Sequence, residues 1–368
     1  MGRRMTRVLL LGSTGAVGRS CLDALAARAD LVVTLGGRDE DRLRAVATAS
    51  DSDVTALDIS DEQAVAAALK QCDVLVNCAG PSSQHSARLA TAASAAQVAY
   101  VDPGGDRALF DVLGEIGTDV PILLQTGVQP GLTGMLLRTL ASVQPTAVTV
   151  WCGGLQDLTP ASVLEYLASL RDPHSHPGAE LRDGEIRTVR GREPEPPPAQ
   201  FFPGSVSVHP HLDHETIEVA AEFDIEQVSW YNVFDGPRTR RAMQILAADH
   251  RTGHDVPEVS DVLAAAKLDL FGRNPYFAIA GVAEQDSCRT SLAVSCRDSF
   301  GVTGALTAFG VQCVLSSSPG VYPFWKLDVP REVWSFLDTE VPDVRVTSVD
   351  GTAIVPIHRL SALEEGVL

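Results

Sequence analysis

A glycine-rich turn directly after an apolar run is the feature that most constrains the fold. The run Val8–Leu11 leads into Gly12-Ser13-Thr14-Gly15-Ala16-Val17-Gly18 and then into Ser20–Ala27. This order predicts a buried strand, a tight turn and a helix whose N-terminus faces the turn. Gly12 permits the turn, Gly15 lets the backbone approach a phosphate, and Gly18 lets the helix pack on the strand. We therefore predict that all seven residues from Gly12 to Gly18 bind a dinucleotide pyrophosphate.

The length of the chain predicts two lobes. It has 368 residues, and one compact domain typically takes about 150. We predict a dinucleotide-binding Rossmann domain over residues 1–131, with a helix near 302–325 packing back on it. Residues 132–368 are then expected to form a substrate-binding and dimerisation domain.

Charge and cysteine usage limit the partners. The net charge is −18, which argues against nucleic acid and anionic membranes as partners. The apolar run after the basic N-terminus is only four residues long, too short for a signal peptide or a membrane span. The seven cysteines are scattered and contain no C-x-x-C. This argues against a disulfide framework or a zinc site and favours the cytoplasm.

The periodicity of apolar residues changes near residue 132. Before it, short apolar strands alternate with helices, which predicts a parallel, doubly wound sheet and so an α/β fold. The strands predicted there are Leu31–Leu35, Val54–Asp58, Asp73–Cys78, Val98–Asp102 and Pro121–Gln125. After it, longer strand patterns and fewer alternations predict an α+β lobe with a mixed sheet. The strands predicted there are Ala147–Cys152, Ser205–Val208, Glu226–Phe234, Pro275–Ala283, Arg289–Cys296, Asp343–Val349 and Thr352–His358.

Helices and loops complete this division. The helices predicted are Asp41–Ala47, Asp61–Lys70, Ser86–Ala96, Gly134–Ser142, Pro160–Leu170, Pro237–Ala248, Ser260–Phe271, Val302–Leu315 and Pro330–Leu337. Residues 171–204 are expected to form a loop or lid, with a hairpin around Asp183-Gly184 and a proline-rich stretch at 193–198.

Arg38 points to a phosphorylated dinucleotide. In a site that prefers NAD, an acidic residue ends the second strand and binds the ribose hydroxyls. Here the strand is followed by Gly36-Gly37-Arg38-Asp39, with no acid at its tip. A guanidinium suits a 2′-phosphate in charge and geometry, so we predict NADP(H). The alternative is a solvated arginine paired with Asp39 or Asp41.

Three further segments lie at strand ends. Asp58 could bind the adenine ring or cap the next turn. Ala79, Gly80 and Pro81 follow the fourth strand, where open α/β sheets bind their ligands. Gly127 lies in the turn after the last strand of the first lobe, where we expect the nicotinamide. Ordinary turn punctuation is the alternative for the last two segments.

Two residues of the second lobe are candidate proton donors. His209 belongs to His209-Pro210-His211-Leu212-Asp213-His214, where Pro210 and the spacing disfavour a metal site; we predict a loop and no metal. A histidine there titrates near neutral pH and can act as an acid. Tyr231 lies in the densest aromatic stretch, 230–234, which can line a cleft or pack in the core.

Several of these segments together resemble the saccharopine dehydrogenase/reductase-like family. The residues that carry the resemblance are Gly12–Gly18, Gly37–Asp39, Asp73–Pro81, Tyr100–Asp102, Gly127–Leu132 and Pro319–Pro323. The resemblance is good over the first third of the chain and patchy beyond it. Phe324-Trp325 departs from the family's pattern, in which we expect an acid.

The resemblance implies an NAD(P)-binding Rossmann lobe, a mixed lobe that often forms dimers, and hydride transfer to a C–N bond. We therefore expect an NADPH-dependent enzyme, a homodimer, that reduces an imine or thiazoline of an amino-acid- or peptide-derived metabolite. The substrate is expected to be a small molecule, free or bound to a carrier. The alternatives are a C=C or carbonyl reductase of secondary metabolism and a dinucleotide sensor without turnover.

Overall fold

A computed structural model describes residues 4–252, 258–286, 288–350 and 353–356. In chain order its strands are β1 (Thr6–Leu11), β2 (Leu31–Gly37), β3 (Asp53–Ala56), β4 (Val74–Asn77), β5 (Ala99–Val101), β6 (Pro121–Leu124), β7 (Ala147–Leu155), β8 (His176–Pro177), β9 (Ala179–Arg182), β10 (Glu185–Thr188), β11 (Ser207–Leu212), β12 (Gln227–Phe234), β13 (Tyr276–Gln285), β14 (Cys288–Cys296), β15 (Gly320–Pro323), β16 (Arg345–Asp350) and β17 (Ala353–Pro356).

Twelve α-helices connect these strands within the described residues. They are α1 (Ala16–Ala26), α2 (Glu40–Ala47), α3 (Glu62–Leu69), α4 (Ser82–Ala95), α5 (Arg107–Ile116), α6 (Leu132–Ala141), α7 (Pro160–Ser169), α8 (His214–Glu222), α9 (Pro237–Thr252), α10 (Val259–Leu270), α11 (Ser299–Ser316) and α12 (Pro330–Glu340).

The chain divides into two compact units. The first comprises the described residues up to 132 together with 299–328, and the second comprises 133–298 and the described residues from 329 onward. The first unit contains a seven-stranded sheet in the order β15-β6-β5-β4-β1-β2-β3. All its pairings are parallel. The predicted α/β class and doubly wound parallel sheet are confirmed.

The order of the first sheet places a crevice beside β1. Strand β1 pairs with β2 on one side and with β4 on the other. The order in which successive strands are added to the sheet therefore reverses at β1. In such sheets ligands bind at the carboxyl ends of the strands on either side of the reversal. Val8–Leu11 are all buried, as expected for a strand covered on both faces.

Helix α11 belongs to the core of the first unit. Gly304 lies against α1, where an added Cβ would be 2.4 Å from the Val17 carbonyl oxygen. By length and composition alone α11 could span a membrane, a test that the core helix of a soluble protein also passes; 56% of it is buried. Its apolar character is accounted for by these contacts within the unit.

The second unit is built on a ten-stranded mixed sheet. The order is β10-β9-β12-β7-β13-β14-β16-β17, and β11 pairs with β12 and β8. Strands β7 and β12 are parallel, whereas β13 is antiparallel to β7. This arrangement confirms the predicted mixed sheet.

Local signals placed several elements of the second unit correctly. Thr159 and Ser162 form a capping box at the start of α7, and Pro160 is its first residue. Asp183 and Gly184 have φ values of 53° and 73°, which fits a two-residue turn between β9 and β10. Both features agree with the predictions. The predicted strand Thr352–His358 is described only over β17, and its remaining residues lie outside the described part.

The prediction of a loop for residues 209–214 is wrong. His209 and His211 lie in β11, and Asp213 caps α8 by accepting a hydrogen bond from the Thr216 amide. Pro210 lacks an N–H group, and proline is tolerated where that side of a strand needs no donor. The strand β15 and the helices α5 and α8 were not predicted.

Candidate dinucleotide-binding site

Two glycines of the turn are fixed by packing, and a third is open. Gly12 has φ of 77°, and a Cβ there would lie 2.4 Å from the Cys78 carbonyl oxygen. A Cβ on Gly18 would lie 2.1 Å from the Gly12 carbonyl oxygen. A Cβ added to Gly15 would lie no closer than 3.4 Å to any neighbouring atom. A ligand can therefore approach the backbone of Gly15 closely. The structure therefore gives Gly12 and Gly18 the packing roles expected from their positions and leaves space beside Gly15.

The start of α1 offers unpaired hydrogen-bond donors. Its N-cap, Gly15, makes no side-chain cap, and the first amides of a helix, here at Ala16, Val17 and Gly18, have no partner within it. Ser13 is fully buried, and its Oγ has no hydrogen-bond partner among the described residues. Thr14 completes the turn between them. This donor set fits the pyrophosphate of a nicotinamide dinucleotide.

A cavity of about 220 Å³ opens beside the turn. The ends of the first four strands meet there, and lining residues include Gly12, Arg38, Asp58, Ala79 and Gly80. Most of the positions predicted to bind the cofactor are thus brought together in one cavity.

The sequence did not point to a histidine in this cavity. His85, from α4, also lines it. Pro81, joined to Gly80 by a cis peptide bond, stands directly before this helix. The sequence signal that could have identified His85 is its place in the first turn of the helix after β4.

Arg38 is exposed and lies next to the end of β2. Within the described ranges it has no ion pair, whereas the nearby Arg44 pairs with Glu40. Asp39, one of the alternative partners, instead accepts a hydrogen bond from the Arg42 amide as the N-cap of α2. The Arg38 charge is therefore available to an anion in the cavity.

Asp58 carries a negative charge at the rim of the same cavity. Its Oδ1 accepts a hydrogen bond from the Ser60 amide at 2.9 Å. This bond is the main reason that the pKa of Asp58 is lowered, and the charges of Arg38 and Arg88 lower it further. One carboxylate oxygen thus holds the turn, and the carboxylate remains ionised at neutral pH beside the cavity.

A buried carboxylate fixes the loop after β4. Asp102 is 1% exposed, and its Oδ2 accepts hydrogen bonds from Asn77, Ser86 and Tyr100 at 2.6–2.8 Å. Its Oδ1 accepts one from the Gly104 amide. Asn77 in turn accepts a hydrogen bond from the Ala79 amide. The position of residues 79–81 therefore depends on Asp102, which the sequence reasoning placed only in a strand.

Helix α11 fixes the second loop, which contains Gly127. The Thr126 hydroxyl contacts Thr307 at 3.1 Å, and the Val128 amide donates to the Thr303 hydroxyl at 3.3 Å. A Cβ on Gly127 would lie 3.0 Å from the Pro103 carbonyl oxygen. Residues far apart in the sequence thus hold this turn in place.

Trp325 also supports this loop. Its indole N–H donates to Gln125 Oε1 at 2.9 Å. The position where the resemblance leads one to expect an acid therefore holds a buried structural contact.

The two candidate proton donors lie on opposite faces of the second sheet. His209 pairs in register with Asn232, so Tyr231, one residue earlier, faces the other way. Tyr231 is buried and stacks on Trp151 at 6.1 Å, and its hydroxyl accepts from the Glu195 amide at 3.4 Å.

His209 is half-buried, and its Nε2 has no hydrogen-bond partner among the described residues. Burial lowers the pKa of His209, with a smaller contribution from the charge of Arg240. The structure therefore does not bring the two donors together. No group of three or more His, Cys, Asp or Glu side chains in the described part is placed to hold a metal ion.

Comparison with known proteins identifies the first unit. Residues 8–116 match the family model for the saccharopine dehydrogenase NADP binding domain. The resemblance seen in the sequence is confirmed over this range, and with it the expectation of a nicotinamide dinucleotide. A search of curated proteins gives no match.

Two solved structures share the fold over almost the whole chain. Saccharopine dehydrogenase (L-Glu forming) from Saccharomyces cerevisiae has a TM-score of 0.69 at 16% identity, covering 94% of this chain and 100% of the other. The homospermidine synthase of Legionella pneumophila, solved in complex with NAD, has a TM-score of 0.63 at 11% identity, covering 95% and 92%. At these identities the likeness establishes the fold.

Proposed function

We propose that this protein is an NADPH-dependent oxidoreductase that reduces the C=N bond of an imine or thiazoline in an amino-acid- or peptide-derived metabolite. The observation that carries the proposal is the cavity beside the glycine turn, with the unpaired guanidinium of Arg38 at the end of β2. The NADP-binding family model over residues 8–116 supports the cofactor.

The described residues can hold each part of the cofactor. The amides of α1 and the buried Ser13 hydroxyl bind the pyrophosphate, Arg38 binds the 2′-phosphate, and Asp58 faces the adenine side. The loops 79–81 and 125–131 line the nicotinamide end, as the carboxyl ends of these strands do in related sheets. When bound, the cofactor supplies the hydride.

The chain's own residues then have two tasks. Asp102 and α11 hold the two loops rigidly, which orients both reactants. A proton must also reach the reduced nitrogen, and we assign it to His209 or Tyr231. His209 is the better candidate because its Nε2 has no hydrogen-bond partner among the described residues, whereas the Tyr231 hydroxyl already accepts from Glu195.

The C=N assignment rests on the family resemblance and on the chemistry of the group. Imines are often protonated near neutral pH, so their reduction does not require a strong catalytic base. One of the two structural relatives is named as a saccharopine dehydrogenase. From this relative we carry over to our proposal only the class of bond that is reduced, a C=N bond.

A substrate panel tests the reaction. Consumption of NADPH is followed at 340 nm with cyclic imines, thiazolines, enones and ketones. We expect turnover with the C=N compounds at least tenfold above that with the others. Turnover of enones or ketones alone would indicate the C=C or carbonyl reductase, and tight NADPH binding without any turnover would indicate a sensor; either result contradicts the proposal. We also propose that the protein is a homodimer. Sedimentation velocity tests this, and a monomer at micromolar concentration would contradict it.

Replacing Arg38 tests the cofactor choice. Arg38→Ala removes the charge that faces the 2′-phosphate, and charge-assisted hydrogen bonds contribute roughly 1.5–3 kcal/mol. We expect NADPH affinity to fall about tenfold or more while NADH affinity stays within about twofold. An unchanged preference for NADPH in the variant would exclude this role for Arg38.

A further inference from the structure

Two residues of α4 lie next to each other at the edge of the cofactor cavity. His85 and Arg88 are three positions apart, a spacing that puts their side chains on the same side of the helix. Ser86 and Leu89, next to them in the chain, are buried. His85 lines the same cavity as Arg38 and Asp58. The helix therefore contributes His85 to a cavity whose other walls come from the strand ends, and Arg88 follows one turn later on the same side of the helix.

Both side chains have buried polar atoms without a partner. His85 Nδ1 and Arg88 Nε are inaccessible to solvent, and neither makes a hydrogen bond within the described part of the chain. Buried polar groups are nearly always paired, and an unpaired one costs roughly 1–3 kcal/mol. Two such atoms on neighbouring side chains indicate that a polar group belongs beside them, and Arg88 Nε, which can only donate, requires an acceptor.

The electrostatics connect Arg38 with the same two residues. After burial, the charges of Arg88 and then Arg38 are what lower the pKa of His85. The same two arginines lower the pKa of Asp58. The charges of Arg38 and Arg88 therefore both reach His85 and Asp58. Asp39, the other carboxylate that lines the cavity, caps α2. Two guanidinium charges placed close together in a chain of net charge −18 favour an anionic ligand.

We propose that His85 and Arg88 form the second half of a 2′-phosphate site and face Arg38 across the phosphate of NADPH. The proposal rests on the proposed function in that NADPH is the cofactor. With the pyrophosphate on the glycine turn, the adenosine ribose lies at the end of β2, beside Arg38. A phosphomonoester there accepts hydrogen bonds from two guanidinium groups and an imidazole, which a free ribose hydroxyl cannot do. His85 and Arg88 thus determine specificity together with Arg38.

Binding of small nucleotides tests the proposal without any turnover. The probes are 2′,5′-ADP, its isomer 3′,5′-ADP (the phosphate arrangement of coenzyme A) and ADP, titrated by calorimetry against the full-length chain. We expect 2′,5′-ADP to bind wild type at least tenfold more tightly than either of the others. A preference for 3′,5′-ADP, or no preference, would overturn the assignment.

Variants of His85 and Arg88 then separate their contribution to 2′-phosphate binding from that of Arg38. We expect Arg88→Gln to weaken NADPH and 2′,5′-ADP about tenfold and His85→Gln about threefold, with NADH affinity changed by less than twofold in both. Arg107→Gln removes a positive charge of the same unit that pairs with Asp111 outside the cavity, and it should leave the NADPH/NADH ratio unchanged. Thermal melting confirms that each variant is folded.

The outcomes distinguish this proposal from the cofactor assignment. If wild type binds NADPH no better than NADH, the proposed cofactor is wrong. If Arg38→Ala loses the preference while Arg88→Gln and His85→Gln keep it, NADPH remains the cofactor and the role of α4 is excluded. Equal weakening of NADPH and NADH in Arg88→Gln would likewise exclude recognition of the 2′-phosphate.

Discussion

Asp102 shows how one side chain can determine the shape of the cofactor site. Its carboxylate accepts four hydrogen bonds in a nearly fully buried position. In Asp102→Asn one acceptor becomes an N–H group that faces a donor, and a buried unpaired donor costs roughly 1–3 kcal/mol. We expect the free energy of unfolding of the first unit to fall by about 2 kcal/mol in urea titrations.

A matched change on α5 serves as the control for Asp102. Asp111→Asn removes a carboxylate that is half exposed and pairs with Arg107, and exposed pairs contribute about 0–1 kcal/mol. Equal losses in the two variants would show that the Asp102 hydrogen bonds add nothing specific.

His209 gives a prediction for the pH dependence of turnover. Its pKa lies below the ordinary value of 6.5, mainly because of burial. An acid must be protonated to act, so kcat/KM should rise as the pH falls through this lowered pKa and decline above it. We expect His209→Gln to remove this decline toward higher pH, measured from pH 5 to 8. If Tyr231→Phe removes it instead, with the His209 variant unchanged, His209 is not the donor.

At the scale of elements, α11 determines where α1 lies. Gly304 leaves no room for a side chain, because a Cβ would lie 2.4 Å from the Val17 carbonyl oxygen and 2.6 Å from the Cys21 amide nitrogen. Gly304→Ala must push the two helices apart, and overpacking of this kind costs roughly 1–3 kcal/mol. Because α1 carries the proposed pyrophosphate donors, NADPH and NADH should both bind more weakly, by similar factors, in fluorescence titrations.

Gly114 provides the control on another helix. It lies in α5, and an added Cβ there would have nothing within 4 Å. Gly114→Ala should raise stability by about 0.5–1 kcal/mol, because alanine favours a helix over glycine. A loss of cofactor binding in both glycine variants would contradict the argument from the contact between α1 and α11.

The helices, strands and turns also show which features short stretches of sequence can predict. The glycine turn, the start of α7 at Pro160 and the Asp183-Gly184 turn are encoded by a few consecutive residues, and each was predicted. Strand β15 has four residues, and its place beside β6 depends on a partner some 200 positions earlier. Likewise, Arg88 and Asp102 gain their importance from residues on other elements. No local pattern contains those contacts.

For the whole molecule, the charge distribution bears directly on ligand choice. A net charge of −18 opposes the binding of any anion at long range. Donors and cations concentrated at one cavity offset this repulsion, since interactions at short range are screened less by salt than those across the surface. The unpaired atoms of Ser13, His85 and Arg88 follow from the same requirement. The acidic surface and the basic cavity are therefore compatible features.

Three histidines predict how the stability of the chain depends on pH. Burial is the largest cause of the lowered pKa of His85, His209 and His211. Above pH 6.5 these groups are neutral in both the folded and the unfolded chain, so their protonation changes nothing. Below it the unfolded chain takes up protons that the folded chain resists, and the stability falls until the pH passes the lowered folded-state values.

We therefore expect the urea midpoint to decrease between pH 7 and pH 5, before most carboxylates titrate. His211→Gln should reduce this slope, because the histidine at 211 is the most buried of the three. His174→Gln, at an exposed position, should leave the slope as in wild type. A midpoint that is constant over this range, or that rises on acidification, would show that these histidines are not held neutral by the fold.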